Sequence, residues 1–185
     1  MFKRSITRVI DLLVKSSSGF YKKMKKYLLI VLLACCCINV FGQSITLNDL
    51  INISNLPNSE AHNYLVLNKG FKNEYLQEVN GNTMEHLHKV AANKKQETVI
   101  IGEYTKLGNG SLLRTVVYNS QTTQHLFNLI AQAKSAGLKM NIQGADAMNN
   151  IYLFDNNFYH ISIFINRNNA FGSIVLKQKE FLGFD

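Results

Sequence analysis

Three apolar segments near the end of the chain lie so close together in sequence that they constrain its fold more than any other feature. Residues 151–154 and 158–165 are separated by 155–157 (Asp-Asn-Asn), and residues 171–179 follow the turn 167–169 (Arg-Asn-Asn). A pair of parallel strands needs a crossover of a dozen or more residues between its members. The spacing therefore predicts three neighbouring antiparallel strands.

Helix signals lie upstream of these strands. Residues 46–49 (Thr-Leu-Asn-Asp) have the hydroxyl and carboxylate spacing of a capping box, and Pro57, the one proline of the chain, ends the short helix that follows. A second helix comes next and is closed by Gly70. A longer helix, predicted to be capped by Ser120, has apolar residues at helical spacing and ends at Gly137.

A β-hairpin is predicted between the second and the long helix. Residues 97–106 are rich in Val, Ile and Tyr, and residues 111–118 form the returning strand after the turn 108–110 (Gly-Asn-Gly). Residues 72–95 are ambiguous. Asn80 and Gly81 indicate a turn, but the residues after it fit either a strand or a helical turn.

The order of these elements predicts one α+β domain over residues 43–185, with an antiparallel sheet and helices on one of its faces. Residues 69–72 (Lys-Gly-Phe-Lys) match residues 136–139 (Ala-Gly-Leu-Lys) at an offset of 67, each at the end of a helix. The match suggests two tandem α-β-β-β units, 58–118 and 120–179. Shared chemistry at the helix ends explains the same match without a duplication.

Tandem α-β units with an open sheet face resemble the β-lactamase-inhibitor-protein-like architecture of several small exported proteins. The resemblance covers residues 46–179 and rests on the order of elements, with no diagnostic motif. It implies a sheet with one free face, and it transfers no functional residue to this chain.

Residues 24–42 have the features of a secretory signal peptide. Lysines precede an apolar core, residues 27–34, that is far shorter than the roughly 20 residues of a membrane-spanning helix. Small or compact residues at Val40 and Gly42 predict cleavage between Gly42 and Gln43. The segment resembles the leaders of exported proteins from Bacteroidetes-type bacteria, in which glutamine often follows the cut.

Two further interpretations of the N-terminal region stay open. Residues 32–35 (Leu-Leu-Ala-Cys) form an imperfect lipobox, which would make Cys35 a lipid-attachment site and the protein an outer-membrane lipoprotein. Residues 1–23 are either an extended basic n-region or lie upstream of the true start, which we place at Met24 because a complete signal peptide begins there.

The leader holds most of the net positive charge. Eight of the 20 Lys and Arg residues and one of the 12 Asp and Glu residues precede Gln43, which leaves 12 basic against 11 acidic residues. We therefore expect no nucleic-acid partner and contact with membrane only through the leader during export. All three cysteines, residues 35–37, also precede the cut, so the mature chain has no thiolate metal site and no cysteine nucleophile.

The histidines and serines give weak signals for chemistry. His86 and His88 would share one face of a strand, but no third ligand is spaced to complete a zinc site. Ser111, His125 and Asp146 could be combined into a triad on paper, yet no GxSxG elbow is present. We expect no metal, no cofactor and no catalytic residue. The alternative is a small exported hydrolase with His125 or the His86/His88 pair as general base.

The closing strands give the strongest functional signal. Isoleucine occupies every second position from 161 to 165, which predicts a core face. Tyr152, His160 and Phe164 are then predicted to project from the helix-free face, as partner-binding residues, because Tyr and Phe are enriched in interface cores. The alternatives are a sheet that packs on both sides, or aromatic rings that cover a second small core.

These features predict an exported, non-enzymatic protein-binding module, of inhibitor or immunity type, in the periplasm or outside the cell. Its protein partner would dock on the open face of the sheet.

Overall fold

A computed structural model describes residues 44–91 and 94–180. The predicted leader, the cleavage position between Gly42 and Gln43, and Cys35 lie outside the described residues. Within the described residues, no helix is long and apolar enough to cross a membrane.

In the part of the chain that the structure describes, three α-helices and one π-helical segment precede or interrupt the strands. They are α1 (Leu47–Asn55), α2 (Asn58–Asn63), the π-helical segment Tyr64–Asn68 that continues α2, and α3 (Thr123–Ser135).

Within the described residues, eight strands form one antiparallel sheet. They are β1 (Lys72–Val79), β2 (Asn82–Val90), β3 (Gln96–Lys106), β4 (Leu112–Ser120), β5 (Lys139–Ala145), β6 (Asn149–Asp155), β7 (Tyr159–Asn166) and β8 (Gly172–Gln178). Their order in the sheet is β1-β2-β3-β4-β8-β7-β6-β5. The predicted α+β class with an antiparallel sheet is confirmed.

The sheet consists of two four-stranded meanders that meet where β4 pairs with β8. One or more helices precede each meander in the chain. Each unit of helix and meander therefore contains four strands, whereas the predicted α-β-β-β unit contains three. The ambiguous residues 72–95 supply β1 and β2. Residues 139–145 supply β5, which was not predicted because only Met140 and Ile142 in its sequence, KMNIQGA, are large apolar residues.

The two meanders match in detail at the offset of 67 residues. Gly70 and Gly137 end helical segments with φ of 72° and 74°. The register shifts at Asn73/Tyr75 in β1 and at Met140/Ile142 in β5. These correspondences support an internal duplication, which stays a hypothesis.

The helix ends follow the sequence closely, with one exception. Thr46 and Asp49 form the complete capping box of α1. Ser120, by contrast, is the last residue of β4, and Thr122 is the N-cap of α3. The predicted capping role of Ser120 is therefore wrong, although its hydroxyl accepts a hydrogen bond from the backbone N–H of Thr122 at 3.1 Å.

One hydrophobic core fills the space between the helices and the sheet. Leu126 and Leu129 of α3 pack over the second meander, and Leu50 and Ile53 of α1 complete the layer; all four side chains are buried. Burying apolar side chains such as these is the dominant favourable term in folding. Of the described residues, none forms an element that covers the opposite face of the sheet.

Candidate functional site

The register of the strands decides which residues face away from the helices. Directly opposed residues in neighbouring strands point to the same face of the sheet. Ile161, Ile163 and Ile165 are buried beneath the helices, as the alternation predicts. His160 and Phe164 alternate with them and therefore project from the helix-free face, where both are half-buried.

Tyr152 lies on the other side, and its predicted position is wrong. It pairs with Ile163 and packs against the core. The sequence shows that Tyr152 alternates with Ile151 and Leu153, but it does not show which set faces inward. The pairing of β6 with β7 settles this, and the aliphatic set of β6 faces outward.

A row of mostly apolar side chains crosses the whole helix-free face. Each member lies opposite the next one in the neighbouring strand, and neighbouring strands are about 4.8 Å apart, so the row spans roughly 34 Å. We call it the transverse row; from β1 to β5 it consists of Tyr75, His86, Ile100, Val117, Val175, Ser162, Leu153 and Ile142.

Solvent reaches the transverse row along its length. The two end residues, Tyr75 and Ile142, are exposed, and the six between them are half-buried. The Tyr75 ring stacks on His86 with 4.1 Å between ring centroids. The sequence did not predict the middle of the row. β-branched residues such as Ile100 and Val117 favour a strand in either case, and their pattern does not show whether they face the core or the open side of the sheet.

Polar side chains run parallel to the transverse row on one side. This polar row consists of Glu103, Thr115, Lys177, His160, Asp155 and Lys139, each opposite the next in the neighbouring strand. On the other side of the transverse row lies Phe164, opposite Ile151 in β6 and Ser173 in β8. The face thus has an apolar centre with a charged margin.

His160 lies among groups that suggest, but do not form, a catalytic triad. Its Nε2 is 3.3 Å from the Ser162 hydroxyl, and its Nδ1 is 4.0 Å from an Asp155 carboxylate oxygen. The second distance is too long for a hydrogen bond. Lys179 instead holds Asp155, with Nζ 3.0 Å from Oδ1. Because β7 is paired on both edges, its backbone N–H groups have ladder partners and do not form an oxyanion hole here.

Of the other histidines considered from the sequence, His86 is held by a structural contact. His86 Nε2 lies 3.0 Å from Gln77 Oε1, and burial lowers the pKa of its imidazole. His88 shares the helix-free face with His86, as the period of two predicts. Over residues 44–91 and 94–180, no three His, Cys, Asp or Glu side chains cluster as metal ligands would.

The structure does not bring together the triad considered from the sequence, which consists of Ser111, His125 and Asp146. Ser111 lies in the turn between β3 and β4, and Asp146 lies beside the turn between β5 and β6. The Asp146 carboxylate accepts hydrogen bonds from backbone N–H groups of its own turn, which lower its pKa. His125 lies between α3 and the sheet near Tyr118, with 5.7 Å between ring centroids, and burial lowers the pKa of its imidazole.

A cleft of about 600 Å³ opens where the β1–β2 hairpin meets the end of β3. Gln77, Met84 and Glu103 line it from the helix-free face, and Tyr104 and Lys106 line it from β3. The cleft therefore adjoins the β1 end of the transverse row.

No known protein family, no curated protein and no solved structure matches the chain in comparisons with each.

Proposed function

We propose that the helix-free face is a protein-binding surface, and that the chain is an exported, non-enzymatic binding module of inhibitor or immunity type. The transverse row is the observation that carries this proposal. It is a continuous, mostly apolar strip, accessible to solvent, on a sheet face that the described helices leave uncovered.

The layout of the face matches the anatomy of protein interfaces. Interfaces have an apolar core, with Tyr and Phe enriched and charged residues depleted, and a polar rim. The transverse row and Phe164 supply the apolar part, and the polar row, with Glu103 and Lys177, supplies charged groups at its margin. Pairing along the eight described strands sets the spacing of these side chains, and a preorganised surface loses less entropy on binding.

Phe164→Ala should weaken binding of the partner by about 1–4 kcal/mol, because it removes a large aromatic anchor from the apolar part of the face. Phe164 is half-buried and faces away from the core, so we expect the loss of folding stability to stay below the roughly 3–5 kcal/mol of a core Phe→Ala change. Envelope fractions captured on the wild-type protein identify the partner, and titration calorimetry then measures affinity for both proteins.

Phe127→Ala is the matched control. Phe127 is an exposed aromatic residue of α3, on the helix side of the molecule. Its truncation should leave affinity unchanged within a few tenths of a kcal/mol. A partner that loses affinity with Phe127→Ala and keeps it with Phe164→Ala would contradict the proposed surface.

The export part of the proposal has its own test. The protein purified from the producing cells should have the intact mass of a chain that starts at Gln43, because signal peptidase cleaves after Gly42. A diacylglycerol adduct at Cys35 would indicate a lipoprotein instead, and a retained leader would refute processing altogether.

A further inference from the structure

Three polar side chains meet beneath the first turn of α3, on the helix side of the sheet. Glu97 of β3 is 4% exposed, Tyr118 of β4 is fully buried, and the ring of His125 lies 5.7 Å from the Tyr118 ring. The Tyr118 hydroxyl lies beside the Glu97 carboxylate and the Ser120 hydroxyl. Within the described residues, however, Glu97 Oε2, the Tyr118 hydroxyl oxygen and His125 Nε2 are closed to solvent and lack a hydrogen-bond partner of ordinary geometry. Buried polar atoms are nearly always partnered in folded proteins, so this cluster calls for a physical explanation.

The strand register places the cluster where the two meanders join. Glu97 lies opposite Ser120, and Ser120 lies opposite Gly172 of β8. Leu126, the residue after His125, packs directly on Gly172, where an added Cβ would lie 2.4 Å from Leu126 Cδ1. The first turn of α3 is therefore docked on the pairing of β4 with β8, and His125 lies beside that contact.

The hydrogen bond on the other side of the His125 ring shows where a further proton would bind. The ring donates to the backbone carbonyl of Ile45. Since Nε2 has no partner among the described residues, the donor is Nδ1, and in the neutral ring Nε2 then carries the lone pair. A proton added at Nε2 creates a buried, charged N–H for which the described residues place no acceptor in ordinary geometry. Burying a charge without a hydrogen bond is costly, so protonation favours an arrangement in which water reaches the ring.

We propose that His125 is the proton-binding group of a pH-sensitive contact: the neutral ring keeps the first turn of α3 on the sheet, and a proton bound at Nε2 releases that turn. Release hydrates the imidazolium and uncovers Leu126 at the end of the β4–β8 pairing. Acid therefore loosens the join between the two meanders. Because the contact lies on the helix side of the sheet, it goes beyond the proposed binding function and does not depend on it.

The titratable groups around His125 favour release over the formation of an ion pair. Burial lowers the pKa of His125, and attraction to the Glu97 carboxylate offsets this effect only in part. Tyr118 stays uncharged where His125 titrates, because burial raises the pKa of its hydroxyl. α3 also packs against α1, β7 and β8. The buried residues of these two strands are Gly, Ile and Leu, and Asp49, the buried charge of α1, is paired with Lys69.

His125 binds a proton more weakly when α3 is docked than when its first turn is open, so opening takes up a proton. The stability of the contact is full above the open-state pKa of about 6.5 and is lost as pH falls below that value, until the lower pKa of the docked state is reached. With one proton taken up, the opening equilibrium constant rises by up to about tenfold per pH unit.

Hydrogen–deuterium exchange of residues 121–130 tests the proposal on the protein as the cell produces it. In wild type, opening constants of this segment, corrected for the chemical effect of pH on exchange, should rise about three- to tenfold per pH unit as pH falls from about 6.5 to 5. His125→Gln binds no proton in this range and should remove that dependence. His86→Gln is the matched control. Burial lowers the pKa of His86 as well, but His86 lies on the helix-free face, so the dependence should remain.

Two further measurements decide the question if His125→Gln does not fold. NMR titration of the His125 ring in the wild-type protein should give a pKa below about 6.5. Glu97→Gln removes the carboxylate that favours the imidazolium, so the pKa of His125 should fall further and the pH dependence should extend to lower pH. A ring pKa above about 6.5, a pH dependence that survives in His125→Gln, or stronger protection of residues 121–130 in acid, as an imidazolium paired with Glu97 would give, each overturns the proposal.

Discussion

Gly102→Ala should destabilise the protein by about 2–6 kcal/mol. Gly102 has a φ of +98°, which residues with a side chain rarely adopt, and a Cβ at this position would lie 2.2 Å from the carbonyl oxygen of Thr83 in the neighbouring strand. Strain of this backbone conformation costs about 1–3 kcal/mol, and forcing an extra methyl group into a packed site costs a further 1–3 kcal/mol. Urea unfolding of wild type and variant measures the difference.

Gly144→Ala is the control for this prediction. Gly144 also lies within a strand, but the nearest heavy atom to an added Cβ is Ile142 Cγ2 at 3.9 Å, which is an ordinary contact. We expect a change within about 0.5 kcal/mol. A Gly102→Ala variant as stable as the Gly144→Ala variant would show that β3 can shift away from β2 at little cost.

Gly102 also has a consequence for the helix-free face. It lies at the register shift of β3, between Ile100 and Glu103. The extra residue lets Ile100 join the transverse row and Glu103 join the polar row, although the two are three positions apart. Variants at Gly102 therefore disturb the layout of the face as well as the stability of the sheet.

Asp49→Asn should destabilise the protein by roughly 3 kcal/mol, because it removes one partner of a buried ion pair. Asp49 is buried in α1, and one of its carboxylate oxygens lies 2.7 Å from Nζ of Lys69. The carboxylate also accepts hydrogen bonds from the Tyr64 hydroxyl and from Thr46. Asparagine keeps the size of the side chain but leaves the ammonium of Lys69, whose side chain is 11% exposed, without the countercharge of Asp49.

The effect of Asp49→Asn should depend on pH in a defined direction. Burial alone would raise the pKa of Asp49, but Lys69, Tyr64 and Thr46 together hold it below the ordinary value of 3.8. A carboxyl group with a lowered folded-state pKa contributes stability above its unfolded pKa and loses it as pH falls through the folded value. The gap in unfolding free energy between wild type and Asp49→Asn should therefore be full at pH 7 and shrink below about pH 4.

Asp155→Asn provides the comparison for a solvent-exposed pair. Asp155 and Lys179 are 29% and 41% exposed and lie 3.0 Å apart. Exposed ion pairs contribute about 0–1 kcal/mol, so this substitution should change stability by less than 1 kcal/mol. Equal losses for Asp49→Asn and Asp155→Asn would contradict the special role assigned to burial at Asp49.

Local features of the fold could be read from the sequence because their causes are local. The capping box at Thr46 and Asp49 and the left-handed glycines at Gly70 and Gly137 each depend on a few neighbouring residues. The antiparallel pairing of β6, β7 and β8 followed from turns too short for a crossover. These features gave the fold class correctly.

The features that were missed depend on partners distant in sequence. Tyr152 was placed on the wrong face because β6 alternates two apolar sets, and pairing with β7 decides between them. β5 was missed because an edge strand with one neighbour needs no core-facing pattern. Of the predicted partner-binding residues, His160 and Phe164 share the helix-free face. The transverse row could not be assembled without the register of all eight strands.

The strand order also has a consequence for how the chain folds. Six of the seven strand pairings join strands that follow one another in sequence, and the pairing of β4 with β8 is the exception. That pairing brings Ser120 opposite Gly172 across the whole second meander. Closing a long loop carries an entropic cost that hairpins avoid, and non-local pairings slow folding. We therefore expect each meander to form quickly and the pairing of β4 with β8 to be the late, rate-limiting step of folding. That step joins the two meanders into one cooperative sheet.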